Sequence, residues 1–254
     1  MKMNKFPKFS IITVSYNSEK YIEETIKSVI SQSYPNIEYI IIDGESTDGT
    51  IDIIKKYESQ ITYWASEKDQ SMYDAINKGL RKCTGDFIWV INSDDYIPEQ
   101  DTVQNILIHI QKYPNELGYY ADVFIREGSN IRLRRSLQVT KKQLLLSMHG
   151  TFIPHPALIV TRKSLDFVHE YNLKYKYASD FDYIFRLLDS GTLRHLKIPI
   201  SVFRRHTESI TSSGKLNYDR LEILRDFGYK NYNVLDRRLT YLFIWIKYKI
   251  INYL

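Results

Sequence analysis

Cysteine and long apolar runs are both scarce in this chain, and each shortage excludes a class of protein. Cys83 is the single cysteine, which excludes an internal disulfide framework and favours a reducing compartment. The sequence has no run of about 18 uncharged apolar residues, so no membrane-spanning helix is expected. The apolar run 9–14 is too short for a signal-peptide core. We therefore expect a protein that is not exported and that works in the cytoplasm.

Glycine-rich phosphate-binding loops are also missing. The first loop, 15–20, lacks the glycines that a nicotinamide dehydrogenase needs to bring a helix close to a pyrophosphate. A sugar-nucleotide pyrophosphorylase would need a glycine-rich loop with an arginine there, and a P-loop enzyme would need Gly-x-x-x-x-Gly-Lys. Neither pattern occurs. The basic residues follow no recognition module, so nucleic acid is not an expected partner.

What the chain does contain is an ordinary globular composition with uneven charge. Its 254 residues are 43% apolar, enough for one large α/β domain or two small ones. The 35 Lys and Arg residues outnumber the 30 Asp and Glu residues, and most of the basic ones lie beyond residue 126. This asymmetry indicates an anionic partner or a membrane surface near the second half.

Strand and helix patterns alternate through residue 92. Predicted buried strands cover 9–14, 37–42, 61–64 and 87–92, with amphipathic helices between them. This rhythm predicts a mostly parallel, doubly wound sheet whose loops gather at one edge. Farther on, the pattern predicts a hairpin of 119–125 with 131–137, strands at 155–160 and 196–203, and a helix opened by Asp180.

Polar residues follow the first four predicted strands. Since ligands bind at the carboxyl ends of parallel strands, these residues should converge on one cleft, although each alone could be a turn former or helix cap. They are Tyr16, Asn17, Asp43, Asp48, Asp69, Asp94 and Asp95. The adjacent carboxylates Asp94 and Asp95 would repel each other without a cation, and such oxygen ligands suit Mg²⁺ or Mn²⁺. The alternative for an isolated pair is a cap of the segment leading past Pro98.

Four segments together resemble the family 2 glycosyltransferases of the GT-A fold: 9–17, 41–50, 92–95 and 178–182. The likeness covers about residues 9–210, and the segment 66–79 is similar to the branch that makes bacterial surface polysaccharides. It implies a Rossmann-like, mostly parallel central sheet flanked by helices, with a small antiparallel element. We expect a catalytic domain over 7–210 and a C-terminal helical tail over 211–254.

The resemblance also implies roles for individual residues. Asp43 would accept a hydrogen bond from a uracil imide, and Asp95 would be the direct metal ligand in the place of the family's Asp-X-Asp motif, whose first aspartate is Ser93 here. Nucleotide and donor-sugar contacts are expected from Thr13, Tyr16, Asn17, Asp69, Asp74, Asn77, Lys78 and Asp94. The implied donor is a nucleotide sugar, most simply a UDP-sugar, and the implied cofactor is Mn²⁺ or Mg²⁺.

Asp180 matches the family's catalytic base, which takes the proton of the acceptor hydroxyl so that the anomeric configuration inverts. The competing interpretation makes Ser179 or Asp180 the N-cap of the following helix. Asp182 is the reserve candidate for the base. His155 is expected either to contact a sugar or to be a hydrogen-bonded core histidine.

Three basic residues in sequence, Arg204, Arg205 and His206, are expected either to close over the pyrophosphate or to form a solvated turn. The tail 231–254 is rich in Tyr, Leu, Ile, Lys and Arg. It is interpreted as an interfacial helix at the inner face of the cell membrane, or as a helix packed on the body or on a partner chain.

These features predict a metal-dependent inverting hexosyl- or N-acetylhexosaminyltransferase that acts on a glycan or lipid-linked acceptor in bacterial surface polysaccharide synthesis. Two alternatives remain open at this point. One is a non-catalytic protein that binds nucleotide sugars, and the other is an enzyme similar to a sugar-nucleotide pyrophosphorylase.

Overall fold

The computed structural model describes residues 6–147, 152–206 and 216–253. In this part of the chain eight strands form one mixed sheet, in the order β3-β2-β1-β4-β7-β5-β6, and β8 pairs with β5. The strands are β1 (Phe9–Ser15), β2 (Ile37–Asp43), β3 (Tyr63–Ser66), β4 (Phe87–Val90), β5 (Gly118–Glu127), β6 (Asn130–Arg134), β7 (Leu158–Thr161) and β8 (Leu193–Arg204). The helices are α1 (Ile22–Ile30), α2 (Thr50–Lys56), α3 (Met72–Lys82), α4 (Thr102–Ile110), α5 (Lys141–Ser147), α6 (Ser179–Ser190), α7 (Leu216–Asp226) and α8 (Val234–Tyr253).

The first half of the sheet is parallel, as the alternation of strands and helices predicts. β1 lies between β2 and β4 and is parallel to both, while β3 continues the sheet beyond β2. All residues of β1 are buried, because helices cover both faces of a parallel sheet. The carboxyl ends of β1, β2, β3 and β4 therefore meet at one edge, and the loops that follow them form the site described below.

The second half of the sheet contains the antiparallel element. β7 is antiparallel to both β4 and β5, and β5 makes the predicted hairpin with β6. Gly128 in the hairpin turn has a φ of 62°, a conformation that glycine adopts without steric cost. β8 is parallel to β5 along most of its length, with a register shift near Asp122. This strand ends at Arg204, beside the carboxyl edge of the parallel half.

The core consists of two layers separated by the sheet. Alternate side chains of β1 enter opposite layers, Ile12 and Val14 on one side and Phe9 and Ile11 on the other. The first layer also contains the buried faces of α3, α5 and α6, and it includes Ile223 of α7 and Ile244 of α8. The C-terminal helices thus contribute side chains to the same core as the sheet.

Some element boundaries differ from the predicted ones. β3 covers Tyr63–Ser66 and not 61–64, because Ile61 ends a short 3₁₀ turn. His155–Ala157 forms another 3₁₀ turn, and the strand predicted from residue 155 begins only at Leu158. The expected domain boundary between residues 210 and 211 lies outside the described residues. Among the described helices, none is long and apolar enough to cross a membrane.

Candidate active site

Asp43, the last residue of β2, is the centre of a hydrogen-bond network that joins three loops. Its carboxylate accepts hydrogen bonds from the Ser15 hydroxyl at 2.9 Å, the Ser46 backbone N–H at 2.9 Å, the Ser46 hydroxyl at 2.6 Å and the Ser66 hydroxyl at 2.7 Å. The side chain is fully buried. These four bonds use the acceptor capacity that the predicted contact with a uracil imide would need, so the structure points first to a structural role.

Tyr16 and Asn17 form the loop after β1. Asn17 has a φ of 47°, in the left-handed region that asparagine tolerates, and its side-chain oxygen accepts the backbone N–H of Thr47 at 2.9 Å. The Asn17 backbone N–H donates to the Ser46 hydroxyl. Tyr16 is 65% exposed, so its ring is available to stack on a flat ligand at the sheet edge.

Asp69 and Lys78 form an ion pair beside this loop. The Lys78 Nζ lies 2.7 Å from Asp69 Oδ1 and 3.1 Å from Glu67. Burial raises the pKa of Asp69, an effect that Lys78 only partly offsets. A Cβ atom at Gly44 would come within 3.0 Å of Asp69 Oδ2, so glycine at this position leaves room for the carboxylate. Asp74 is less central, because its carboxylate accepts the backbone N–H of Gln70.

Asp94 and Asp95 follow β4 and have different surroundings. Asp95 is fully buried, and its Oδ1 accepts the backbone N–H of Arg204 at 3.0 Å. Burial raises the pKa of the Asp95 carboxyl well above its usual range, and the charge of Asp94 raises it further. The Asp94 side chain is 25% exposed, and its Oδ2 lies 2.9 Å from Nε2 of His206. Asp94 is therefore the more exposed carboxylate of the two, whereas Asp95 Oδ2 is buried without a hydrogen-bond partner, and Asp95 as the direct metal ligand stays a prediction.

The Asp94 and His206 pair fits a divalent cation. Carboxylate oxygen suits Mg²⁺ and Mn²⁺, and imidazole nitrogen is a common metal ligand. Mg²⁺ in nucleotide sites is commonly held by one or two carboxylates plus phosphate oxygens. Among the described residues no cluster of three or more His, Cys, Asp or Glu side chains surrounds a common point. A cation here would take its other ligands from the diphosphate and from water.

Arg204 stabilises the Asp94–Asp95 loop from inside the protein. Its Nε donates to the main-chain oxygen of Asp94 at 2.9 Å, its Nη2 pairs with Glu24, and its guanidinium lies over the Tyr21 ring. The predicted pyrophosphate contact would require these bonds to break. Arg205 pairs with Glu127, so His206 is the member of the basic trio that faces the site.

Asp180 lies in the first turn of α6. The Tyr73 hydroxyl, 3.0 Å from Asp180 Oδ1 and 3.2 Å from the Tyr177 carbonyl oxygen, donates to this pair of acceptors. Ala178 occupies the N-cap position and no side chain of the helix caps it, so the interpretation of Ser179 or Asp180 as the N-cap is wrong. Tyr73 is in the first turn of α3, which begins after β3, and it therefore brings Asp180 to the carboxyl edge of the sheet.

The reserve candidate and two other predicted residues are engaged in the interior. Asp182 is buried in an ion pair with Arg186 at 2.7 Å. Asn77 donates to the main-chain oxygen of Tyr171 and accepts the Tyr171 N–H, so both polar atoms of its amide have partners in the protein. Thr13 is fully buried in the middle of β1 and accepts the Tyr39 hydroxyl. The positions of Asn77 and Thr13 give no support to the predicted donor contacts.

His155 belongs to a buried aromatic cluster beneath Asp180. Its Nε2 lies 2.8 Å from the Tyr171 hydroxyl, and the Tyr171 ring stacks on Tyr183 at 4.2 Å and on Tyr73 at 5.7 Å. Burial lowers the pKa of His155, although the charge of Asp180 opposes this effect. The geometry is that of a hydrogen-bonded core histidine, the second of the two predicted alternatives.

Several contacts that build the site could not be predicted from the sequence motifs. The hydroxyls of Ser18 and Ser93 lie 2.7 Å apart, and the Thr25 hydroxyl is within hydrogen-bonding distance of the main-chain oxygens of Ser93 and Asp95. Asp219 of α7 accepts backbone N–H groups next to Asp180. Tyr73 lies in the segment 66–79, but no role is predicted for it from the sequence.

Comparison with known proteins decides the family. The model of glycosyl transferase family 2 matches residues 10–167. The chain belongs to glycosyl transferase family 2. An uncharacterized glycosyltransferase of Mycobacterium tuberculosis is 31% identical over 188 residues, which are 72% of this chain and 70% of that protein. A PGL/p-HBAD biosynthesis glycosyltransferase from the same species is 27% identical over 203 residues, 78% of this chain and 77% of the relative.

Solved structures of low sequence identity share the fold of this family 2 chain. Staphylococcus aureus TarS in complex with UDP-GlcNAc has a TM-score of 0.67 and 19% identity, over 85% of this chain and 65% of that one. The match to a longer TarS chain covers only 38% of that chain. The mannosyltransferase PcManGT of Pyrobaculum calidifontis, in complex with GDP-Man and Mn²⁺, has a TM-score of 0.61 and 16% identity, over 97% of this chain and 83% of that one. The expected GT-A fold is confirmed.

Proposed function

We propose that the protein is a metal-dependent, inverting glycosyltransferase that transfers a sugar from a UDP-sugar to a glycan or lipid-linked acceptor in a bacterial surface glycan or glycolipid. One observation carries the proposal: the carboxyl edge of the sheet presents two separate acidic groups with different partners. Asp94 faces an imidazole, whereas Asp180 receives a phenol hydrogen bond. The first suits a cation beside a diphosphate, and the second suits a base.

The Asp94 and His206 pair would hold the cation and thereby orient the diphosphate of the donor. A divalent cation there would supply positive charge to the departing diphosphate, where negative charge grows in the transition state. Arg204 and the Thr25 hydroxyl hold the loop in place through main-chain oxygens of Asp94, Ser93 and Asp95. This support keeps the candidate ligand in position before the donor binds.

Asp180 would act as the base of the transfer. The acceptor hydroxyl oxygen attacks the anomeric carbon of the donor, its proton moves to the Asp180 carboxylate, and the bond from the anomeric carbon to the diphosphate oxygen breaks, so that UDP leaves. Attack from the face opposite the diphosphate inverts the anomeric configuration. The Tyr73 hydroxyl orients the carboxylate for this step.

The choice of a UDP-sugar is supported by the complex of TarS with UDP-GlcNAc, while the complex of PcManGT with GDP-Man supports the competing donor. Tyr16 is the exposed aromatic residue at the edge and would stack on the base of the nucleotide. The PGL/p-HBAD relative is named for a role in biosynthesis, which agrees with transfer to an acceptor in a biosynthetic pathway.

We also propose that α8 rests on the membrane that carries the acceptor. The stripe of Ile244, Tyr248 and Asn252 packs on the body, where the Asn252 side chain accepts the Arg135 backbone N–H at 2.7 Å. The opposite face of α8 exposes Leu235, Leu239, Leu242, Phe243, Ile246 and Ile250. Arg238, Lys247 and Lys249 lie near this apolar face, and Asp236 is the only acidic residue of the helix. Apolar side chains bordered by cations fit the interface of an anionic bilayer.

The experiment that tests the proposed activity is release of UDP from UDP-GlcNAc and other UDP-sugars, with Mn²⁺ or with EDTA, in the wild type and in Asp180→Asn. Asp180→Asn should bind UDP in calorimetry with a Kd within about twofold of wild type and should lose turnover by about 10²- to 10⁴-fold, the usual contribution of a positioned base. Asp189→Asn is the matched control, because Asp189 is an exposed carboxylate near the other end of the same helix.

Each result has a definite meaning. Normal turnover in Asp180→Asn removes Asp180 from the role of base. Wild-type turnover that survives EDTA removes the metal from the mechanism. Binding of UDP without turnover across a broad set of donors and acceptors supports the non-catalytic nucleotide-sugar-binding protein instead.

A further inference from the structure

The backbone just before Asp180 is held by a residue from a distant part of the chain. The Asp219 carboxylate, on α7, accepts the backbone N–H of Tyr177 at 2.5 Å and the backbone N–H of Ala178 at 3.1 Å. Helix α6 has no side-chain cap of its own at Ala178. A carboxylate from another helix thus supplies the negative charge and the hydrogen bonds that a helix N-terminus favours.

The segment of Tyr177 and Ala178 also forms a hydrogen bond through a carbonyl oxygen. The Tyr73 hydroxyl lies 3.2 Å from the Tyr177 carbonyl oxygen and 3.0 Å from Asp180 Oδ1. The N–H groups of Tyr177 and Ala178 therefore face Asp219, while the Tyr177 carbonyl and Asp180 share Tyr73. Movement of the 177–178 segment would change the position of both acceptors of the Tyr73 hydroxyl.

Helix α7 does not need Asp219 in order to dock. Ile223 and Leu224 are buried, and the Phe227 ring that follows the helix stacks on Phe185 of α6 at 4.9 Å. The Asp226 carboxylate accepts the Tyr175 hydroxyl at 2.6 Å. Since these contacts anchor α7, the two bonds of Asp219 are available to hold the segment that leads to the base.

We infer that Asp219 is a positioning residue of the active site, which fixes the candidate base Asp180 through the backbone of Tyr177 and Ala178. This inference rests on the proposed glycosyl transfer. It makes α7 part of the catalytic apparatus and not only of a tail, because Asp219 acts through the backbone that leads to Asp180. A base that is displaced by about 1 Å can lose about 10²-fold in rate.

The test compares UDP release from UDP-GlcNAc with Mn²⁺ in wild type, Asp219→Ala, Asp219→Asn and Asp226→Asn. Asp219→Ala should lower kcat by about 10- to 100-fold and change the KM for the donor by less than about twofold, because donor binding does not depend on the base. Asp219→Asn retains an acceptor oxygen and should recover most of kcat. Asp226→Asn removes a carboxylate from the same helix and should keep the wild-type kcat.

A double variant shows whether Asp219 acts through Asp180. In an Asp180→Asn background, adding Asp219→Ala should slow the reaction by no more than about twofold, because effects of residues that act as a unit are not additive. Amide exchange of the segment 177–180 should speed up in Asp219→Ala and not in Asp226→Asn.

Some outcomes would overturn the inference. An unchanged kcat in Asp219→Ala would do so. An equal loss of kcat in Asp226→Asn would indicate general damage to helix docking. Additive losses in the double variant would show that Asp219 does not act through Asp180. If the wild type releases no UDP from any UDP-sugar, the proposed function fails and this inference fails with it. An active wild type with an active Asp219→Ala overturns the inference alone.

Discussion

At the scale of single residues, the buried carboxylate of Asp43 gives a clear prediction about stability. Asp43→Asn would keep the shape of the side chain but would replace one acceptor oxygen with an NH₂ donor, which would face hydrogen-bond donors such as the Ser46 N–H and the Ser66 hydroxyl. We expect the free energy of unfolding to fall by about 2 to 4 kcal/mol, which is typical for breaking a buried charged hydrogen-bond network. Denaturant unfolding of the nucleotide-free protein measures this.

Asp52→Asn is the control for this prediction, because Asp52 is an exposed carboxylate on α2. Its unfolding free energy should stay within about 0.5 kcal/mol of wild type. If Asp43→Asn also leaves stability unchanged and instead weakens UDP binding, the contact with uracil is the main role of Asp43 and the structural interpretation is wrong.

Contacts between residues that are far apart in the sequence could not be predicted, whereas the position of a single residue in a strand could. That Asp43 ends a buried strand was predictable from the strand pattern. Its partners Ser15, Ser46 and Ser66 come from three loops, and no local pattern pairs them. Asp219 lies 42 residues beyond Tyr177, in a helix that the sequence analysis treated as tail, so its contact with the site could not be predicted from spacing.

At the scale of elements, periodicity predicted the strands and helices, but not their first and last residues. Strand patterns located β1 and β2 to within one residue, because runs buried on both faces have abrupt polar ends. The start of α6 was less certain, because Ser179 and Asp180 both favour N-caps in general. In the structure Asp219 takes over the capping role, and Ala178 occupies the N-cap position.

The exposed apolar face of α8 predicts binding to anionic vesicles. Replacing Leu242 and Ile246 together with serine should weaken co-sedimentation with phosphatidylglycerol vesicles by about 10²- to 10⁴-fold, since each apolar side chain contributes about 1.5 to 3 kcal/mol when fully buried and every 1.4 kcal/mol or so is tenfold in affinity. The secondary structure should not change, because Leu242 and Ile246 lie opposite the packed stripe of Ile244 and Tyr248.

Ile108 and Ile131 are the matched control, since both are large exposed apolar residues outside α8. The serine double variant at those positions should sediment with vesicles as the wild type does. Equal binding of both double variants would argue against a membrane role of α8. A wild type that forms dimers, and a Leu242 and Ile246 variant that is monomeric, would instead assign this face to a second copy of the chain.

At the scale of the whole molecule, the sequence predicted the fold because several motifs occur in the right order along the chain. The same resemblance placed the metal ligand one residue away from the more accessible carboxylate. In the sequence Asp94 and Asp95 are equivalent neighbours, and only the packing of β8 shows that Arg204 buries one of them. The partly exposed Asp94 is paired with His206, more than a hundred residues away along the chain.

Binding of nucleotide and cation should stabilise the entire fold, because the loops after β1, β2 and β4 and the end of β8 meet at the candidate site. With Mn²⁺ present and UDP at about 100 times its Kd, the gain is about 2.7 kcal/mol, or a rise of about 5 to 10 °C in Tm for a chain of this size. Removal of the metal with EDTA should abolish most of the shift. Differential scanning calorimetry measures it.

Substitutions of Asp94, His206 and Asp95 show which of these side chains binds the metal. Asp94→Asn and His206→Ala should each lose most of the Mn²⁺-dependent shift, because each removes one of the two donors that face each other. Asp95→Asn should retain more of it, since Asp95 is buried behind the loop and bonded to the Arg204 backbone. If Asp95→Asn alone abolishes the shift, Asp95 is the metal ligand and the loop must open on binding. A larger shift with GDP than with UDP would keep the enzyme class and change the donor.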